Sequence, residues 1–249
     1  MIALWAGLVT LGFTTVLTIA GIGAAFILVP VFLALGVELH VAMSTALLLN
    51  AISMAFASVT FARERLILWR LAAPIVVVSM VLAPLGARAS GFVPRGTLLG
   101  LFALFLVFAA TMMLFYQPAA SGKAASGTKG ALLVGVPLGG IAGFLGGLLG
   151  VGGGNIILPG LVSLGVTPKQ ASATTAFIVV FASLAGFLGR VSLGGLDGPL
   201  LAATAAASVV GAVLGSWLMS RKLANRQVKR IIAVLLYLIA AKLLFDLWF

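Results

Sequence analysis

The stretch Gly150-Val151-Gly152-Gly153-Gly154-Asn155-Ile156-Ile157-Leu158-Pro159 decides how the rest of the chain is read. It closes a run, Gly135 to Gly154, in which ten of twenty residues are glycine, within a segment uncharged between Lys129 and Lys169. Glycine costs about 1 kcal/mol against alanine in a helix interior, so this density in a membrane-type segment needs a reason. Gly135, Gly139, Gly143 and Gly147 recur every fourth residue, which predicts a flat strip where another backbone approaches closely. Gly152-Gly153-Gly154 is too dense for a helix and predicts a break, with Asn155, a favoured cap residue, opening the next helical piece. A helix start exposes unpaired N–H groups and the positive end of its dipole. Held at membrane depth, it suits an anion. The competing reading is that the glycines serve only tight helix packing.

The composition around this stretch sets the compartment. Of 249 residues, 63 % are hydrophobic and 8 % charged, and mean hydropathy is +1.30. A soluble domain carries about 25 % charged residues, so the chain reads as an integral, all-α polytopic membrane protein. Met1-Ile2-Ala3 lacks the basic region of a signal peptide, so the first apolar stretch is expected to remain in the membrane. The absence of cysteine excludes disulfides, thiolate metal sites and cysteine nucleophiles. A net charge of +11 would suggest nucleic acid in a soluble protein. Here the basic residues cluster between apolar spans, where they set orientation, and no nucleic-acid partner is expected.

Apolar stretches run over residues 4–36, 39–62, 71–90, 97–116, 130–165, 171–189, 199–219 and 230–248. The first and fifth exceed the roughly 20 residues of one crossing, and both contain a glycine break, at Gly21-Ile22-Gly23 and at Gly150–Gly154. That coincidence exposes a repeat. A shift of 129 residues lays Gly21 on Gly150, Gly23 on Gly152, Ile27 on Ile156, Pro30 on Pro159, Ala42 on Ala171 and Thr45 on Thr174. Leu35-Gly36-Val37 falls on Leu164-Gly165-Val166, and Gly86 on Gly215. The chain is expected to be two homologous four-segment repeats, residues 1–116 and 130–249, joined by a polar linker at 117–129.

Charge placement bears on how the two copies lie. If every stretch crosses once, basic residues divide 7 against 8 between the two sides, which carries no orientation signal. If stretches one and five dive in, break and return, the division is 11 against 4. Arg63, Arg65, Arg70, Lys123, Lys129, Lys169 and the Arg221–Arg230 cluster then share a side, opposite Arg88, Arg95, Arg190 and Lys242. The positive-inside rule favours the second arrangement. This predicts re-entrant first segments, an inverted repeat and both termini outside a cell (inner) membrane; a bent single crossing is the alternative. Irregular backbone at membrane depth is tolerated only where protein buries it or a cavity meets it, so either arrangement puts both breaks at a site.

No carboxylate or histidine lies mid-span: the acids are Glu38, Glu64, Asp197 and Asp246, and the histidine is His40. A carboxylate proton relay and a catalytic or metal constellation therefore lack members, and no cofactor is expected. What lies inside is hydroxyls, amides and backbone, including Ser44, Thr45, Asn50, Ser53, Asn155, Thr174, Thr175 and Ser183. Lone hydroxyls commonly bond back to the preceding turn. Thr45 and Thr174 stand out because the repeat places them at equivalent positions, and a side-chain amide such as Asn50 needs partners in hydrocarbon. Arg88 and Arg190 either snorkel to the interface or draw anions toward a vestibule.

Two Gly-x-Gly segments running into proline, each followed by an Ala-x-x-Thr helix start, resemble the TauE/SafE sulfite-exporter family of membrane transporters. The residues that carry the resemblance are Gly150–Pro159 with Ala171-Ser172-Ala173-Thr174-Thr175, and Gly21–Pro30 with Ala42-Met43-Ser44-Thr45. The first copy departs from the family pattern, with Gly23-Ala24-Ala25 in place of the glycine triplet and Ala46 where serine is usual. The resemblance implies export of sulfite or a related small organosulfur anion. Joined to the reading of the residues, it makes backbone N–H groups of Gly23, Ala24, Ala25 and Phe26, and of Gly152, Gly153, Gly154 and Asn155, the expected anion donors. Thr45, Asn50, Thr174 and Thr175 are the expected side-chain partners. An importer or channel-like uniporter for another small anion, or a non-transporting membrane scaffold, are the alternatives.

Overall fold

The computed structural model describes residues 2–34, 36–90, 128–190 and 198–248, with isolated positions between 100 and 111. The stretch expected at 97–116 and the linker at 117–127 thus lie essentially outside the described residues. Helices α1 (Ile2–Ile19), α2 (Ala25–Ala34), α3 (Leu39–Arg63) and α4 (Trp69–Ala89) come first. Then follow α5 (Thr128–Leu149), α6 (Gly154–Ser163), α7 (Pro168–Arg190), α8 (Gly198–Trp217) and α9 (Asn225–Trp248), with a π-turn at Leu218–Lys222 after α8. No strand occurs among the described residues. Helices suit so apolar a chain because each satisfies its own backbone where no water can. Four of them, Val41–Arg63 in α3, Trp69–Ala89, Gly130–Leu149 in α5 and Pro168–Arg190, are long and apolar enough to cross a membrane.

Both expected breaks are present, and the chain makes the same turn twice. Gly21 and Gly150 take φ of +69° and +71°, Gly23 and Gly152 take +81° and +75°, and Gly36 and Gly165 both take +85°. These left-handed values suit a residue without Cβ. Ile22 N–H donates to Leu17 O and Val151 N–H to Gly146 O, again 129 residues apart. One expectation is corrected here: Asn155 does not cap α6. Gly153 does, in the left-handed conformation at φ +74° and with no side-chain cap bond, because two successive left-handed residues turn the chain before Asn155 is reached. Asn155 therefore lies inside the first turn, with its side chain released from capping.

The glycine strip works as the spacing predicts. Gly135, Gly139, Gly143 and Gly147 lie against Pro74, Ile75, Ser79 and Ala83 in that order, so α5 and α4 run parallel in close contact. A methyl group on Gly143 would sit 2.6 Å from Ser79 Cα. Gly211 and Gly215 of α8 meet Leu11 and Thr15 of α1 in the same parallel way. The helices stand in the row α5–α4–α7–α3–α8–α1, and α3 and α7 are the most buried of the four long apolar helices. These central two run antiparallel: Met43 meets Arg190, Leu47 lies over Gly186, and Asn50 meets Ser183. α6 folds back along α5, with Gly153 against Gly146 and Gly160 against Leu138. α7 then runs parallel to α4, from Thr174 beside Leu68 to Gly189 beside Pro84.

One end of the bundle gathers the loop after α3, the start of α7 and the turn after α8. Glu64 pairs with Arg221 at 2.9 Å. Lys169 Nζ donates to Ser220 O at 2.8 Å, and its N–H to Asn225 Oδ1 at 3.2 Å. The exposed Glu64–Arg221 pair contributes little stability, but it fixes which loops share an end.

Candidate functional site

The two breaks meet. Gly154 lies against Ile22, close enough that an added methyl would be 2.8 Å from Ile22 O, and Gly21 lies against the backbone of Ser172. Between them stands Asn50. A Cβ on Gly23 would strike its Oδ1, and one on Gly152 would strike Ser183 Oγ while standing 3.1 Å from Asn50 Nδ2. Asn50 Nδ2 donates to Ser183 Oγ at 2.9 Å, and Ala25 N–H reaches Asn50 Oδ1 at 3.5 Å, the long limit of a hydrogen bond. One buried amide thus touches the first turn of α2, the second break and α7. Its position explains why glycines are required there: no side chain fits between Asn50 and either backbone.

Donors left over collect at the same place. Ile156 and Ile157 N–H groups close onto Gly153 O, whereas those of Gly153, Gly154 and Asn155 donate to no backbone carbonyl among the described residues. These are the orphan amides of a helix start. The side chain of Asn155 is fully buried, and neither Nδ2 nor Oδ1 has a partner among the described residues. Buried polar atoms in native structures are nearly always satisfied, so an unpartnered carboxamide beside unpartnered backbone donors is what a bound solute would complete.

The remaining expected residues divide. Thr45 and Thr175 are buried with hydroxyls that have no partner among the described residues. Thr174 is buried but engaged: its Oγ1 accepts the N–H of Leu68 at 3.0 Å, tying α7 to the loop before α4. Ala24 and Ala25 are buried at the start of α2, while the Phe26 side chain is outside the description. Two further features are hard to see in the sequence. Thr10, Thr14 and Thr18 form a buried stripe of hydroxyls without a partner among the described residues, one turn apart along α1 and leading toward Gly21; their period of four is the available signal. Ser183 is an interior hydroxyl by sequence, but nothing in the chain order pairs it with Asn50.

Arg190 does not snorkel. It is fully buried at the end of α7, where NH2 donates to Gly147 O at 2.8 Å and Leu148 O at 3.3 Å, and NH1 to Met43 Sδ at 3.2 Å. The guanidinium thus caps the C-terminus of α5, the negative end of its dipole, next to the second break.

Among the described residues no three His, Asp or Glu side chains gather as a metal site. A groove of about 580 Å³ between α4 and α5, lined by Arg70, Pro74, Val77, Ala131, Leu132 and Val136 among others, shares no residue with either break. Val77, Leu132 and Val136 are exposed, so this groove opens outward rather than onto the site.

Comparison with known proteins identifies the family. A family model described as Sulfite exporter TauE/SafE matches residues 6–243. The probable membrane transporter protein YunE of Bacillus subtilis (strain 168) is 31 % identical over 114 residues, 45 % of this chain and 41 % of that protein. Sulfite exporter TauE/SafE family proteins 1 and 3 of Arabidopsis thaliana are 49 % identical over 43 residues and 48 % over 56. Those two matches cover 17 % and 22 % of this chain, and 10 % and 12 % of the plant proteins. Each alignment therefore spans less than half of the curated relative it matches. No solved structure matches the chain. With a helical membrane bundle built around two glycine breaks and a family match over nearly its whole length, the chain belongs to the TauE/SafE sulfite exporter family.

Proposed function

We propose that this transporter moves a small anion, sulfite or a small organosulfonate, out of the cell by alternating access. The observation that carries the reading is the meeting of the two helix starts at Asn50, with the amides of Gly153–Asn155 and the Asn155 side chain unpartnered beside it. Gly23, Ala24, Ala25, Phe26, Thr45, Asn50, Gly152, Gly153, Gly154, Asn155, Thr174 and Thr175 are proposed to form the substrate site, Thr174 through its hold on Leu68. Neutral donors suit a solute that must bind, shed part of its water and leave. A negative charge moving outward across a negative-inside membrane gains about 2.3 kcal/mol per 100 mV, so export of a monoanion needs no partner ion. The names of the plant relatives supply the choice of sulfite.

An inverted repeat with re-entrant first segments is part of the proposal. It is supported by the antiparallel run of α3 against α7, by α6 returning along α5, and by the matched left-handed glycines. The Glu64–Arg221 and Lys169–Ser220 contacts gather the loops that the 11-to-4 charge division assigns to one side. That side is taken as cytoplasmic, which leaves both termini outside an inner membrane. The row of helices also suggests two bundles, α5–α4–α7 and α3–α8–α1, that rock about the α3–α7 seam.

The test is flux from purified protein in proteoliposomes under an imposed potential, with radiolabelled sulfite, sulfoacetate and sulfate. The proposal expects saturable outward movement of at least one of the first two. Flux of neither, from protein that is folded and inserted, would contradict it and favour the scaffold reading.

A further inference from the structure

We propose that Arg190 is an anion-responsive latch at one end of the α3–α7 seam, released when the transported anion replaces Met43 as its partner. The inference rests on the anion-transport reading above. Three observations lead to it. The guanidinium is fully buried, yet no carboxylate reaches it among the described residues; Glu64, the acid in the described ion pair, belongs to Arg221 at the other end. Its five donors outnumber its acceptors: NH2 meets Gly147 O and Leu148 O, NH1 meets Met43 Sδ, and Nε has no partner among the described residues. The bonds are also unequal. Those to the two carbonyls stay within the α4–α5–α7 bundle, and the bond across the seam to α3 ends on a thioether, a weak acceptor.

A buried cation with spare donors is an incomplete site for an anion, and charge-assisted bonds to an oxyanion are much stronger than one to sulfur. The location suits a gate. Gly147 and Leu148 lie within one turn of Gly146, which packs on Gly153 at the second break, and Gly150 packs on Met43 itself. An anion that engages NH1 and Nε would leave the α5 carbonyls in place and give up the cross-seam contact, loosening α3 from α7 at that end. The 129-residue shift puts Phe61 where the second copy has Arg190, and Phe61 is buried in the apolar core. The latch is therefore built at one end alone, which makes the two gates unequal in their response to the solute.

The chain has no cysteine, so a single Leu148→Cys provides a reporter at this end. Proteoliposomes carrying it are treated with a membrane-impermeant thiosulfonate reagent, with or without sulfoacetate or sulfate, alongside flux measurements. Arg190→Gln in this background should raise the labelling rate roughly tenfold without any anion, in line with a coupling free energy between sites. Arg190→Lys keeps the charge and should remain near the parent rate, which separates loss of the latch from loss of folding. In the parent, the transported anion should accelerate labelling saturably, and in Arg190→Gln it should not. Equal labelling of parent and Arg190→Gln would overturn the latch, as would labelling that ignores a transported anion. Absence of flux from the parent protein would instead count against the transport reading, leaving the labelling comparison to decide the latch by itself.

Discussion

Asn50 and Ser183 join α3 and α7 through a 2.9 Å hydrogen bond from Nδ2 to Oγ, at the point where both glycine breaks converge. Ser183→Ala should leave the buried Nδ2 unpaired and destabilise the protein by about 1–3 kcal/mol. Asn50→Ala removes this donor and the acceptor for Ala25 N–H as well, so it should cost more and abolish flux. Because the residues share a bond, the double variant should be less destabilised than the two losses added together. Thermal unfolding in detergent measures all three.

The glycine strip makes a sharper prediction because its neighbour Gly140 serves as a control. Gly143→Ala brings a methyl to 2.6 Å from Ser79 Cα, where backbone must move, and should destabilise by about 1–3 kcal/mol, as overpacking does. Gly140→Ala meets only the ends of the Leu82 and Val78 side chains, at 3.4 and 3.8 Å, and should be neutral or gain up to about 1 kcal/mol from helix propensity. Comparing the melting temperatures of the two variants decides the matter.

At the breaks, backbone conformation can be separated from crowding. Gly36 and Gly153 take φ of +85° and +74°, and alanine at either should cost roughly 1–2 kcal/mol for the left-handed backbone. Gly36 has open space around it, whereas a Cβ on Gly153 would strike Ala142 O. Gly36→Ala should therefore retain flux and Gly153→Ala should lose it, with both proteins inserting normally. Equal loss at both positions would remove the special role of the second break.

Thr174 tests whether an expected ligand works through the scaffold. Its Oγ1 accepts Leu68 N–H, so Thr174→Val should orphan that amide at a cost of about 1–3 kcal/mol, while Thr174→Ser should behave as the parent. Thr175, whose hydroxyl is unpartnered, should show the reverse pattern: Thr175→Val weakens anion binding with little change in melting temperature.

Glycine made much of this fold readable, because a residue so costly in helices announces the places where the chain turns or where helices touch. The strip facing α4 and the breaks at Gly21–Gly23 and Gly150–Gly153 follow from spacing alone. What spacing could not provide was partnership between distant segments. Asn50 and Ser183 are 133 residues apart, and only the antiparallel seam brings them together. Arg190 looks like an interfacial charge in sequence, since a helix-terminal arginine commonly snorkels; its burial depends on α5 ending beside α7. Asn155 reads as a cap by residue type, but Gly153 takes that position because of its backbone freedom.

The most direct measurement is a structure of the protein with selenite, an oxyanion of sulfite's shape whose selenium scatters anomalously. An anomalous peak within hydrogen-bonding distance of the Gly154 and Asn155 amides, between the two breaks and beside Asn50, is the predicted result. Selenite carried by the protein in proteoliposomes, with its density confined to a place that touches neither break, would contradict the account.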